Sequence, residues 1–240
     1  MARRRFFVQE VSQGRAALLG EEARHLAHVL RAEVGQRFEI SDNRSVYLAE
    51  IEALGKDQVS FRVLEPLPPK TPRVQLALLV ALIKFERFEW MLEKATELGV
   101  ATVVPVEAER SEKGLDLAVR KRLERWRKIA REASQQARRA HLPEILPLAS
   151  FTQAVAHPAQ YRYFLEEQPG PPPLLAALPA HRLASDTVAL LAGPEGGWTD
   201  PERALASQAG WVSVSLGTHI LRTETAAIAA LAILGSAWLS

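Results

Sequence analysis

Two stretches near the carboxyl end carry residue types that suit ligand chemistry. In Leu190-Leu191-Ala192-Gly193-Pro194-Glu195-Gly196-Gly197-Trp198 an apolar run stops at a glycine, and three glycines fall within five residues. Glycine tolerates positive φ and lets a ligand approach the backbone. In Ser215-Leu216-Gly217-Thr218-His219-Ile220-Leu221-Arg222-Thr223-Glu224-Thr225-Ala226-Ala227 a second segment ends at a glycine, a polar loop follows, and Thr223 supplies an N-cap for a helix of small apolar residues. A helix N-terminus presents unpaired N–H groups, and with Arg222 beside it this one suits an anionic or electron-rich group. Taken singly, the first reads more readily as an ordinary Pro-Gly turn, and the second also reads as a capped core helix with Arg222 paired to an acid such as Glu224. Together, each behind a strand, they point to a ligand site. No Gly-x-Gly-x-x-Gly and no Gly-Lys-Ser/Thr occurs, so the dinucleotide and phosphate-loop fingerprints are missing.

The elements that must position these loops alternate in type. Val74–Ile83 is a continuous apolar run, suited to a strand buried on both faces. Glu86–Leu98 has helical spacing, Thr102–Val106 reads as a strand, and Ala118–Arg139 as a long helix with Val119, Leu123, Trp126, Ile129, Ala133 and Ala137 inward. Tyr161–Leu165, Val188–Ala192 and Trp211–Leu216 are further strands, and Thr223–Leu239 a final helix. Alternation of this kind predicts a mostly parallel α/β sheet, whose ligands bind beyond the C-terminal strand ends. Upstream, Arg37–Ser41, Val46–Ile51 and Gln58–Leu64 alternate apolar and polar residues, and Glu21–Arg31 reads as a helix with Leu26, Val29 and Leu30 on one face. This predicts a small β-barrel with an inserted helix. The prolines of Glu65–Pro72 predict a boundary, giving domains over residues 1–67 and 73–240.

Composition narrows the classes. The chain has 240 residues and no cysteine, which excludes disulfide frameworks, thiolate metal sites and cysteine nucleophiles. The cationic start lacks an apolar signal core, and Ala226–Leu239 is too short to span a bilayer, so the expected location is the cytoplasm, with no membrane partner. The net charge of +2 conceals a segment, residues 110–140, with 11 basic and 4 acidic side chains. Such a segment suits a polyanion. Interleaved Glu124 and Glu132 also allow a merely solvated helix face.

The pair Gly-Pro-Glu-Gly-Gly and Leu-Gly-x-x-Ile-Leu-Arg-Thr-Glu-Thr-Ala resembles the RsmE family of SPOUT methyltransferases, which use S-adenosylmethionine to methylate N3 of a uridine in 16S ribosomal RNA. The similarity runs almost the whole length. Arg4-Arg5-Phe6-Phe7 and His25-x-x-x-Val29-Leu30-Arg31 resemble the family's PUA-like RNA-binding domain. Lys94-Ala95-Thr96-Glu97-Leu98-Gly99, Glu109-Arg110-Ser111, Arg125-Trp126-x-Lys128-Ile129-Ala130 and Leu142-Pro143-Glu144-Ile145 also match. Two departures stand out. Where the family often has Glu-Gln-Ser-Gly-Arg, this chain has Gln135-Gln136-Ala137-Arg138-Arg139, and Thr218-His219 replaces Pro-Arg before Ile220.

The resemblance implies a C-terminal α/β domain with a parallel sheet and a trefoil knot, behind an N-terminal PUA-like barrel. It implies S-adenosylmethionine held by Gly193, Glu195 and Gly197 on one loop, Leu216, Gly217, Ile220 and Leu221 on another, and Leu165 on the third side, without a metal. It further implies a homodimer. Arg222 is the candidate to stabilise a uridine anion beside O2 or O4, with Glu224 or Glu195 accepting the proton or orienting Arg222. RNA contact is expected from Arg3, Arg4, Arg5 and Arg31, from the face bearing Arg120, Lys121, Arg122, Arg125, Arg127, Lys128 and Arg131, and from Arg139. The competing readings are a methyltransferase of the same fold acting on another ribosomal or transfer RNA base, a non-catalytic RNA-binding protein, and a nicotinamide-dependent oxidoreductase.

Overall fold

The computed structural model describes residues 5–68 and 74–239. The chain divides into two compact units, Met1–Thr71 with Arg131–Leu142, and Pro72–Ala130 with Pro143–Ser240. Residues 131–142 thus belong with the N-terminal unit, although they follow the second unit's first strands in sequence.

The first unit contains β1 (Arg5–Phe7), β2 (Val11–Ser12), β3 (Arg15–Leu19), α1 (Gly20–Arg24), β4 (Arg37–Ser41), β5 (Val46–Leu54) and β6 (Gln58–Leu67). They form one sheet in the order β1-β4-β5-β6-β3-β2, with β1 parallel to β4 and the other pairs antiparallel. Its two end strands do not pair with each other, so the barrel expected here is open. Phe6, Leu18, Leu26, Ile40, Ile51, Val59 and Phe61 fill its interior.

Two expectations are corrected in this unit. β6 runs through Pro66, which pairs with Tyr47 of β5, so the proline run does not end the strand at Leu64. β3 covers β6 only from Gln58 to Arg62, and Val63 N–H still donates to Gly14 O, but at Pro66 no strand among the described residues pairs with the second edge of β6, where a residue without N–H is tolerated. The helix predicted over 21–31 stops at Arg24 and widens into a π-helical turn over His25–Val29. Leu30 N–H donates to His25 O and Ala32 N–H to Leu26 O, with Arg31 at φ 50°. The wider turn breaks the 3.6-residue register, so Leu26 is buried while Val29 is 66% exposed and Leu30 also faces solvent.

In the same unit the 131–142 segment is fastened to β4 and its turn. Ser41 Oγ donates to Ala140 O at 2.7 Å, and Leu142 N–H to Asn43 Oδ1 at 2.7 Å. Glu39 lies between Arg5, whose Nη2 donates to it at 2.7 Å, and Arg138. Arg138 has φ 55° and Arg139 N–H donates back to Ser134 O, the geometry that usually takes glycine after a helix.

The second unit contains β7 (Gln75–Ala81), α2 (Phe85–Glu97), β8 (Thr102–Glu107), α3 (Leu115–Gln136, its last turn belonging to the first unit), β9 (Glu144–Ile145), β10 (Ala149–Ser150), α4 (Phe151–Val155), β11 (Tyr161–Leu165), β12 (Thr187–Ala192), α5 (Asp200–Gln208), β13 (Val212–Val214) and α6 (Thr223–Ala237). The sheet is wholly parallel, in the order β10-β8-β7-β12-β11-β13, with β9 also on β8. Alternate residues serve opposite faces. Leu78 and Val80 join Phe88, Trp126 and Leu231 on one side, while Leu79 and Ala81 join Phe151, Trp198 and Ala206 on the other. Phe88 stacks on Trp126 at 4.3 Å between ring centroids.

β13 lies at the sheet edge, yet the helix that follows it packs on β12 and β7 in the middle. It does so on the face that the β11–β12 connection already crosses, where Leu174 shares the core with Ala227 and Leu234. That return is the path required by the trefoil that the family resemblance implies.

Candidate functional site

β12, β11 and β13 are neighbours and parallel, so their C-terminal ends open on one edge of the second unit. Three loops leave that edge, starting at Leu165, Gly193 and Ser215. All eight residues expected to hold a ligand lie on these loops or at their roots. The structure fixes the loops to one another. Trp198 Nε1–H donates to Leu165 O at 2.9 Å, which joins the first loop to the second. Leu165 itself is buried, its side chain in the core. Thr223 Oγ–H donates to Gly193 O at 2.7 Å and joins the second loop to the helix after the third.

Close approach explains the glycines of the second loop. A Cβ on Gly193 would sit 2.8 Å from Cε2 of the buried Trp198. Gly197 has φ 70° and lies against the Glu167 carboxylate. Gly196 O accepts from Arg110 Nη1 at 3.0 Å, and Trp198 O from Arg203 Nη1 at 2.6 Å, so cations from two other elements hold the loop. Arg203 also donates to Glu166 at 2.7 Å and Glu167 at 3.0 Å. Burial raises the Glu166 carboxyl, but the Arg203 guanidinium outweighs it and holds the group below its ordinary value. Glu167 is pushed up, first by burial and then by the adjacent Glu166 charge. The second loop ends at Thr199, the N-cap of α5, whose N–H and hydroxyl both donate to Glu202.

The third loop differs. Gly217 has φ 130° with no atom within 4 Å of where a Cβ would stand. Leu216 is half-buried, Ile220 is 85% exposed, and Leu221 also reaches solvent. Arg222 is the exposed N-cap residue of α6. Glu224, in the first turn, is buried, and its Oε2 has no hydrogen-bond partner among the described residues. Backbone groups at two glycine loops, solvent-facing aliphatic side chains and a buried acceptor awaiting a donor together fit a ligand with an apolar heterocycle and N–H groups.

One residue at this edge escaped the sequence reading. Arg87, in the first turn of α2, pairs with Glu195 and brings Nε to 3.9 Å from Glu224 Oε1. Its only signal was a cation off the apolar stripe just after the strand that ends at this edge.

The expected RNA-binding cations separate by environment. Arg3 and Arg4 lie outside the described residues. Arg5 is buried, with its guanidinium engaged by Glu39 and by Arg138 O, so the expectation that it contacts RNA is corrected: it braces β1 against β4. Arg31 is exposed on the first unit. Arg125 is exposed but bonds Glu89 at 2.8 Å, and Arg122 shares that carboxylate. Arg139 donates to His141 O at 3.1 Å, and burial lowers it to about 10, still a cation at neutral pH. Arg120 and Lys121 face solvent on α3 with no ion-pair partner among the described residues. Among the described residues no three acidic or histidine side chains group as metal ligands, and no helix is long and apolar enough to cross a membrane.

Comparison with known proteins identifies the family of the whole chain. Residues 69–235 match the RNA methyltransferase domain family, and residues 18–64 match the RNA methyltransferase PUA domain. The chain is 34% identical to ribosomal RNA small subunit methyltransferase E of Synechocystis over 93% of this chain and 74% of that protein. It is 31% identical to the Bacillus subtilis protein of the same name over 90% and 87%. Among solved structures, ribosomal RNA small subunit methyltransferase E of Neisseria gonorrhoeae, bound to S-adenosylmethionine, superposes with a TM-score of 0.88 at 28% identity, covering 99% of this chain and 98% of that one. A Legionella pneumophila protein solved with the same cofactor gives 0.88 at 30% identity over the same shares.

Proposed function

This chain belongs to the family of ribosomal RNA small subunit methyltransferase E, and from that premise we propose that it methylates N3 of a uridine in 16S ribosomal RNA with S-adenosylmethionine as donor. The observation that carries the reading is the convergence of three loops at one parallel-sheet edge, two of them with glycines at close approaches or positive φ, beside a buried carboxylate oxygen without a partner.

Backbone groups of Gly193, Glu195, Gly197, Leu216, Gly217, Ile220 and Leu221 would hold the donor, with Leu165 closing the third side where Trp198 fixes its carbonyl. When bound, S-adenosylmethionine supplies an electrophilic methyl group on a sulfonium sulfur that leaves as a neutral thioether. Uridine N3 carries a proton and is a poor nucleophile until it is lost. Glu224 accepts that proton at Oε2, the oxygen without a partner. Glu195 is the weaker candidate, because Arg87 already pairs with it. Arg222, exposed at the N-terminus of α6, supplies positive charge at O2 or O4, where the negative charge of the uridine anion resides. The remaining contribution is alignment of nucleophile and methyl.

The outward side of α6, with Thr225, Ala232 and Ser236 exposed, carries small uncharged residues, as suits burial by a second copy in a homodimer. The expected setting is the cytoplasm, where its RNA substrate is made. Mass spectrometry of small-subunit RNA incubated with this protein and S-adenosylmethionine tests the reading. A methylated uridine is the expected product. A methyl group on another base assigns a different target, and calorimetry showing affinity for NAD but none for S-adenosylmethionine defeats the proposal.

A further inference from the structure

Arg87 reaches the site from an element that the loops themselves do not include. It stands in the first turn of α2, and its guanidinium pairs with Glu195 of the second loop while Nε lies 3.9 Å from Glu224 Oε1 in the first turn of α6. The two oxygens of Glu224 therefore have unlike surroundings: one faces a cation, and the other is buried with no hydrogen-bond partner among the described residues. A buried carboxylate without a compensating charge is costly. The second loop and α6 are already fastened by the Thr223–Gly193 bond, so assembling them does not require Arg87. Arg87 is also a third exposed, more than a purely structural buried pair needs.

We propose that Arg87 is a positioning residue, which leaves the unpaired oxygen of Glu224 for the substrate by drawing the other toward its charge, and which keeps Glu195 from competing for the same proton. The inference rests on the methyltransferase reading given above. It places the functional division between the two acids in one guanidinium: Glu195 is the neutralised partner, and Glu224 the working one. Lysine at this position would restore the charge but not the fork that spans two carboxylates.

The test compares the unmutated protein with Arg87→Ala and Arg87→Lys in RNA methylation at saturating RNA and cofactor, with S-adenosylmethionine affinity from calorimetry and thermal melting alongside. Arg87→Ala is expected to lower kcat about tenfold or more while the cofactor Kd changes by less than about threefold, and Arg87→Lys to recover part of kcat. Unchanged kcat in Arg87→Ala overturns the inference. So does a loss in which kcat, cofactor affinity and melting temperature fall together and lysine recovers nothing, since that describes a structural residue. Failure of the unmutated protein to bind the cofactor or methylate RNA is a distinct result: it removes the functional reading, and this inference with it.

Discussion

The Thr223 hydroxyl donates to the Gly193 carbonyl oxygen at 2.7 Å, tying the first residue of the final helix to the residue that follows the strand two places in from the sheet edge. The bond spans 30 residues of sequence and joins two of the three loops of the site. Thr223→Val keeps the shape and removes the donor, leaving a partly buried carbonyl unpaired. The expected loss is about 1 kcal/mol, read as a roughly fivefold weaker S-adenosylmethionine Kd in calorimetry. An unchanged Kd would show that the loops keep their spacing without it.

Gly197 and Gly217 both have positive φ but differ in surroundings. At Gly197 a methyl group would collide with the Glu167 carboxylate, whereas at Gly217 it would meet nothing within 4 Å. Gly217→Ala therefore bears only backbone strain, about 1 kcal/mol. Gly197→Ala adds displacement of Glu167, which Arg203 holds in place. Cofactor affinity is expected to fall about fivefold in the first and by more than about tenfold in the second. Equal losses would mean that the Glu167–Arg203 contact yields freely.

How far the sequence foretold this site follows from the kind of interaction involved. β4 and β11 have the residue limits that their alternating or apolar patterns predict, and the glycine loops sit where strands end. Those are local signals. α5, over Asp200–Gln208, escaped notice because its apolar stripe is short and its start depends on the Thr199–Glu202 capping box. Val29 and Leu30 were misplaced because a π-helical turn shifts their register without altering residue types. Arg87 and Arg5 acquire their roles from partners 108 and 34 positions away, and no spacing rule links Arg87 to Glu195 or Arg5 to Glu39. Cations are the least legible residues here: Arg5 and Arg120 look alike in sequence, yet one is buried in an ion pair and the other is solvated.

Glu39 predicts an acid sensitivity of the N-terminal unit. Burial raises its carboxyl, but hydrogen bonds from Arg5 and Arg138 prevail and lower it beneath the ordinary value of 4.5. A carboxylate lowered in the folded state contributes stability that is complete above its unfolded value and is lost as pH falls through the lowered one. Melting of this unit should therefore weaken as pH drops below about 4.5. Glu39→Gln should flatten that dependence and cost about 3 kcal/mol at neutral pH, by leaving buried Arg5 without its counter-ion. Arg138→Gly should cost less than Arg5→Ala, because it loses one partner of Glu39 but relieves the positive φ at 138. The reverse order in thermal melts would show that the left-handed turn bears no strain.

RNA affinity should carry the mark of phosphate contacts made by cations that have no acid to satisfy them. On α3, Arg122 and Arg125 share Glu89, and Arg127 pairs with Glu124, whereas Arg120 and Lys121 face solvent with no ion-pair partner among the described residues. Releasing a paired arginine to a phosphate exchanges one ion pair for another, so those residues contribute little net attraction. An unpaired cation displaces counterions from RNA outright. Each such contact changes the slope of log K against log salt by about 0.7 on single strands. The double variant Arg120→Ala/Lys121→Ala should therefore bind small-subunit RNA more weakly, with a slope shallower by about 1.4, and keep its S-adenosylmethionine affinity. Arg125→Ala should change the slope by less than either. A double variant with the slope of the unmutated protein would remove this face of α3 from the RNA surface and leave it a solvated helix.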